Sequence, residues 1–279
     1  MNAKPILFAV IFAAATALAA SAQSNDATPS HVCVADKAAP MSSDTNHWWW
    51  GAQKKRVDQV KAAKAAGGTV DVFLLGDSIL HYWELEENQD CWKRTFSGEG
   101  KAKYRGLNLA IEGDRTETLL WRVENGLFKE APRPRAVIIL IGTNNTGERN
   151  VKDETPDETA AGVKAVVEAV RKRTDNASKI IVFGLLPRGK DTNTVATVRN
   201  RLVNERLTKL DESECKTGPR MVFYRDIGDL FLNRDGTIDT NLLGDRLHPS
   251  TKGYDLLARE FTAALDEVFA TLSPAEVSR

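Results

Sequence analysis

The 279-residue sequence carries 38 Lys plus Arg against 38 Asp plus Glu, with 42% hydrophobic and 27% charged residues. These are the proportions of a globular chain long enough to bury a full core without staples. The balanced charge excludes a general attraction to nucleic acid or an anionic membrane, so any partner must be read from a local site.

Residues 1–22, MNAKPILFAVIFAAATALAASA, set Lys4 ahead of an apolar stretch from Ile6 to Ala20 and end on Ala20-Ser21-Ala22. This layout predicts a secretory signal peptide removed after Ala22, the alternative being an uncleaved membrane anchor. Either places the working domain outside the cytoplasm, secreted or periplasmic. No other apolar segment approaches the roughly 20 residues that span a bilayer. Of the three cysteines, Cys33, Cys91 and Cys215, at least one is left over in a monomer. An oxidising compartment permits a Cys33–Cys91 bridge that would tie the N-terminal segment to the body. No CxxC or Cys/His pair at metal-ligand spacing occurs, so no metal site is expected.

Residues 23–46 are rich in Ser, Asp, Thr, Ala and Pro without periodicity and read as a linker or surface arm. From Trp48 the pattern is helical to about Ala66, where Gly67-Gly68 closes it; this arm and first helix make up residues 23–69. Strand-like runs follow at 70–75, 106–111, 136–141, 179–185 and 221–224, with helical patterns near 116–129, 156–174, 196–211 and 251–271. The run at 136–141 is apolar at every position, as expected of a parallel strand covered on both faces. The alternation predicts one α/β domain over 70–272, a three-layer α/β/α sandwich on a five-stranded parallel sheet with right-handed crossovers. His47-Trp48-Trp49-Trp50 is open to two readings: a sugar-stacking platform, or rings that pack the first helix onto the sheet. Burial tendency favours packing for at least two of the indoles.

In such a sheet ligands lie outside the carboxyl ends of the strands. The segments there are Gly76-Asp77-Ser78, Glu112-Gly113-Asp114, Gly142-Thr143-Asn144-Asn145 and Leu186-Pro187-Arg188-Gly189, joined later by Gly244-Asp245-Arg246-Leu247-His248-Pro249. Ser78 is the candidate nucleophile, His248 its base, and Asp245, three residues earlier, the carboxylate that orients the imidazole. The Ser78 and Gly113 N–H groups and the Asn144 amide are candidates for an oxyanion hole, each donor worth on the order of 3 kcal/mol. Asp77, Arg115 and Arg188 are candidate substrate contacts. Taken singly, Ser78 reads as a helix cap, Gly113 as a turn glycine and Asn144 as a loop residue. Their placement after successive strands is what points to catalysis.

The blocks GDS (76–78), NLAIEGD (108–114), GTNN (142–145) and DRLHP (245–249) resemble the four blocks of the SGNH, or GDSL, serine hydrolases. Over roughly 70–266 the chain is similar to the catalytic subunits of platelet-activating-factor acetylhydrolase, notably in LLWRVENGLF, KIIVFGLLPRG and VRNRLVNERL. The resemblance implies a flavodoxin-like fold, the same Ser78, Gly113, Asn144, His248 and Asp245, and cofactor-free hydrolysis of short acyl esters, often acetyl. Two departures stand out: the export segment with its arm, and Arg115-Thr116 after Asp114 where the family often has two threonines.

The expectation is an exported serine esterase removing short acyl groups, plausibly carbohydrate O-acetyl, from a small-molecule or glycan ester, with no nucleic acid, no membrane span after signal removal, and a homodimer left open. An acetyl-phospholipid or lysophospholipid acyl hydrolase is the alternative enzyme. A glycan-binding protein on a hydrolase scaffold is the alternative from another class, and it would not need Asp245 and His248 together.

Overall fold

The computed structural model describes residues 32–147, 154–214 and 220–272; the expected export segment and Cys215 lie outside them. Residues from Cys33 onward form one compact unit. Helix α1 (Trp48–Ala65) starts at His47, whose ring accepts the Trp49 N–H. It ends before Gly67, at φ 67°, the left-handed conformation that closes helices.

Five parallel strands follow: β1 (Val72–Gly76), β2 (Gly106–Asn108), β3 (Ala136–Leu140), β4 (Lys179–Phe183) and β5 (Val222–Arg225). Their order is β2-β1-β3-β4-β5, with β1 paired to β3 from Val72↔Ala136 to Gly76↔Leu140. Every residue of β1, β3 and β4 is buried, because helices cover both faces. Gly76 is required where β1 ends: a Cβ there would stand 2.3 Å from the Leu140 carbonyl oxygen.

The helices are α2 (Ser78–His81), α3 (Gln89–Phe96), α4 (Thr116–Arg122), α5 (Pro156–Arg173), α6 (Val195–Glu214) and α7 (Thr251–Ala270). Helix α3 packs on α7, while α4, α5 and α6 pack in succession. Right-handed crossovers require this division, since the chain steps one way from β1 to β2 and the other way from there to β5. The reversal leaves a crevice at the carboxyl ends of β1 and β3, bordered by Ser78 and by residues 142–145.

The fold is the expected flavodoxin-like sandwich. Its local differences have identifiable causes. The pattern at 116–129 suggested one helix, but α4 stops at Arg122 and the chain kinks through 123–127, where Gly126 takes φ 117°. The Cys33–Cys91 bridge is not formed; both thiols are free. Cys33 lies beside Asp36, whereas Cys91 is buried within α3, with its pKa raised chiefly by desolvation.

Candidate active site

Ser78 is the first residue of α2. Asp77 precedes it in extended backbone and its Oδ1 accepts the Ile79 N–H at 3.0 Å. This cap turns the chain sharply out of β1 and sets Ser78 at the strand end, 8% exposed. Asp77 itself is 1% exposed and lies beneath the serine, so the structure gives it the role of a cap in place of the expected substrate contact. Burial, more than any neighbour, pushes its carboxyl up to about 7; the Ile79 N–H and Arg188 pull the other way and Asp114 adds to the rise.

His248 reaches Ser78 from the turn before α7. Its Nε2 is 2.9 Å from Ser78 Oγ and its Nδ1 is 2.7 Å from Asp245 Oδ2. A carboxylate at Nδ1 selects the tautomer with the proton there, leaving Nε2 to accept from the serine. The other Asp245 oxygen accepts the N–H groups of Leu247 and His248 at 3.0 and 2.7 Å. Desolvation acts to raise the Asp245 carboxyl, yet these hydrogen bonds and the imidazole together hold it below its ordinary value. The turn is tight enough that Arg246 adopts φ 62°. Tyr82 lies against the imidazole, ring centroids 4.8 Å apart.

The turn after β2 is organised around one unused donor. Among the backbone N–H groups of residues 109–114, Leu109 donates to Leu74 O and Ile111 to Gly76 O. Ala110 donates to Asn108 Oδ1, Glu112 to His81 Nδ1 and Asp114 to Ile111 O. Gly113, exposed and at φ 75°, makes no hydrogen bond with another described residue. Such a donor beside a nucleophile suits a developing oxyanion. The Met41 methyl group lies 3.2 Å from where a Gly113 Cβ would stand, so the arm reaches this turn.

After β3, Asn144 directs Nδ2 to the Asp114 carbonyl at 2.9 Å, which leaves the second hydrogen of its amide. Two arginines hold its loop by main-chain oxygens. Arg115 Nη1 donates to Asn144 O at 2.7 Å while its Nε meets Glu117 Oε1 at 2.6 Å. Arg188 Nη1 donates to Thr143 O at 3.0 Å. Arg115 is therefore engaged with the loop. Arg188 also lines an open groove with Gly189, Thr194, Ala196, Arg246, Leu247, Asp245 and His248, which keeps it a candidate.

The structure joins Ser78, His248 and Asp245 by hydrogen bonds, while Gly113 and Asn144 stand on the turns after β2 and β3 and are linked through Asp114. The tryptophans do otherwise: Trp49 is fully buried, Trp50 packs edge-on against Trp121 at 5.1 Å, and Trp48, 48% exposed, is left without an indole partner for a sugar platform. Away from the site, Cys33, Glu154 and Glu158 offer ligand atoms within 4.8 Å of one another; Glu154 already takes the Val34 N–H and faces Arg115.

A parallel α/β sandwich with this polar switch point is the fold of the SGNH hydrolases, and the chain is a carboxylic ester hydrolase. Residues 74–256 match the GDSL-like Lipase/Acylhydrolase family; the chain belongs to that family. It is 34% identical over 200 residues to human platelet-activating factor acetylhydrolase IB subunit alpha1, covering 72% of this chain and 77% of that protein. Among solved structures it is similar to a GDSL-like lipase from Bacteroides thetaiotaomicron, with a TM-score of 0.58, 19% identity, and coverage of 78% and 98% of the two chains. It is also similar to a variant of an acetyl-xylooligosaccharide esterase from Geobacillus Stearmophilus, with a TM-score of 0.53, 17% identity, and coverage of 71% and 95%. The enzyme class sets aside the glycan-binding reading. No helix among the described residues is long and apolar enough to cross a membrane.

Proposed function

We propose that the chain is an exported serine esterase that removes short acyl groups, acetyl foremost, from a carbohydrate or similar small ester. The observation that carries this reading is the continuous relay from Ser78 Oγ through His248 to Asp245, at 2.9 and 2.7 Å. Ser78 Oγ attacks the ester carbonyl as His248 Nε2 takes its proton. The oxyanion is received by the Ser78 and Gly113 N–H groups and the Asn144 amide. His248 then protonates the departing alcohol, leaving an acyl-serine, and activates a water that releases the acid and restores the serine.

Acetyl is supported by the acyl group in the names of the human and Geobacillus relatives. The groove past Arg188, Thr194 and Arg246 adjoins His248, the group that must protonate the leaving oxygen, and so suits the alcohol half. Its two arginines, Arg188 and Arg246, favour a hydroxyl-rich or anionic alcohol. The identity to the human subunit supports an acetyl-phospholipid substrate as the second reading. Export is supported by the layout of residues 1–22.

The test is hydrolysis of p-nitrophenyl esters from acetyl to octanoyl by the mature chain and by Ser78→Ala. Turnover falling steeply beyond acetyl and abolished in the variant is the expected result. A folded wild type inert on every ester, or an active Ser78→Ala, overturns the proposal. Acetylated xylo-oligosaccharides set against acetylated phospholipid then separate the two substrates.

A further inference from the structure

The Asp114 side chain lies behind the turn that bears Gly113, fully buried. Its Oδ1 accepts Trp49 Nε1–H at 2.8 Å and its Oδ2 accepts Arg122 Nη1–H at 2.6 Å. Two more residues on the same face of α1 grip the same turn. Gln53 Oε1 accepts Arg122 Nε–H at 2.7 Å, and Arg56 Nε donates to Ala110 O at 3.0 Å. Arg122 also donates to Leu109 O. Positions 49, 53 and 56 are spaced by four and three, as one helical face requires. All three precede the family-matched residues, which begin at 74.

We infer that Trp49 is a positioning residue for the oxyanion hole, acting through the Asp114 carboxylate to fix the Gly113 N–H and the Asn144 amide together. Asp114 is the shared point of both donors. It follows Gly113 directly, so its placement fixes the peptide that holds Gly113 at φ 75°. Its own carbonyl accepts Asn144 Nδ2 at 2.9 Å, so the same residue orients the amide. A buried carboxylate held by charged and polar donors is a stiff anchor. With Trp49 Nε1 removed, Asp114 keeps its partners on α4, Arg122 and Thr118, and loses its one tie to α1, so it tilts toward α4 and moves both oxyanion donors. Geometry at an oxyanion hole matters on the scale of tenths of an ångström to one ångström.

The inference rests on the esterase reading above, and its test keeps the two apart. Trp49→Phe keeps the ring and deletes the N–H. On p-nitrophenyl acetate its kcat is expected to fall about tenfold or more, a fraction of the roughly 10²–10³ that loss of a whole donor costs, with KM within about twofold. Trp50→Phe, whose indole N–H is spent on Ser42 O, is the control expected to retain wild-type kcat. The diagnostic readout is coupling: in an Asn144→Ala background Trp49→Phe is expected to cost much less, because one of the two donors it aligns is gone. Should Trp49→Phe fold poorly, Gln53→Met, close in size and lacking the acceptor for Arg122, is measured in the same cycle with a smaller fall expected. A wild-type kcat in these variants, or the same fall with and without Asn144, overturns the inference. An inert wild type overturns the esterase reading instead.

Discussion

The buried Tyr254 hydroxyl donates to the Ile79 carbonyl at 2.9 Å, fastening α7, which follows the His248 turn, to α2, which begins with Ser78. This single bond spans the gap that the relay from Ser78 to His248 must keep.

Tyr254→Phe leaves the Ile79 carbonyl without that donor and is expected to lower stability by about 1–2 kcal/mol. Its kcat should fall further than a stability loss explains, with KM little changed. Urea unfolding and steady-state kinetics on one preparation check this; a destabilised variant with full kcat would separate the bond from the chemistry.

Asp77 gives a pH effect of defined sign. Its carboxyl is pushed from 3.8 in the unfolded chain up to about 7. Between those values the native protein binds a proton that the unfolded chain has released, so this group's contribution to stability is full below about pH 4 and is lost as pH rises through 7. Asp77→Asn keeps a capping oxygen and removes the titration. The variant should therefore gain on the wild type as pH rises from 5 to 8. Melting curves for both proteins at those two values test it, and a constant difference counts against the charged form being disfavoured.

Asp245→Asn removes the acceptor for His248 Nδ1–H and is expected to lower kcat by roughly 10²–10⁴, as a mis-set tautomer does elsewhere. The side chain is 59% exposed, so the fold should survive. Circular dichroism with single-turnover acetylation distinguishes a lost base from lost structure.

Arg188→Ala removes a donor to Thr143 O and one wall of the groove beside His248. If the groove takes an anionic or hydroxyl-rich alcohol, the variant should lose more kcat/KM on such esters than on p-nitrophenyl acetate. Equal losses would confine Arg188 to holding the loop.

The fold was legible because the central strands β1 and β3 are buried on both faces and carry no polar side chain, as in 136–140, and because the first helix closes on Gly67-Gly68. Residues with chemistry were legible where a motif concentrates them, as in Gly244–Pro249. Short α2 and α3 carry too few turns to show a period. Sequence gives adjacency and not direction: it could not show that Asp77 caps α2 or that Arg115 binds the Asn144 carbonyl. The link from Trp49 to Asp114 crosses 65 residues and leaves no local pattern. Its trace in the sequence was the tryptophan cluster at 48–50, which shows burial but not the partner.

Asp245 and His248 share one turn, in which Arg246 sits in left-handed backbone. The turn's own hydrogen bonds tie the two side chains into one cassette, and the relay's long-range contact is the one to Ser78, 170 residues away. Anything that lifts this cassette by an ångström, whether heat, crowding against the open groove or a ligand wedged under Leu247, disconnects the serine while leaving the sheet untouched. On the proposed mechanism, activity is therefore expected to be lost at a smaller displacement of this turn than the fold is.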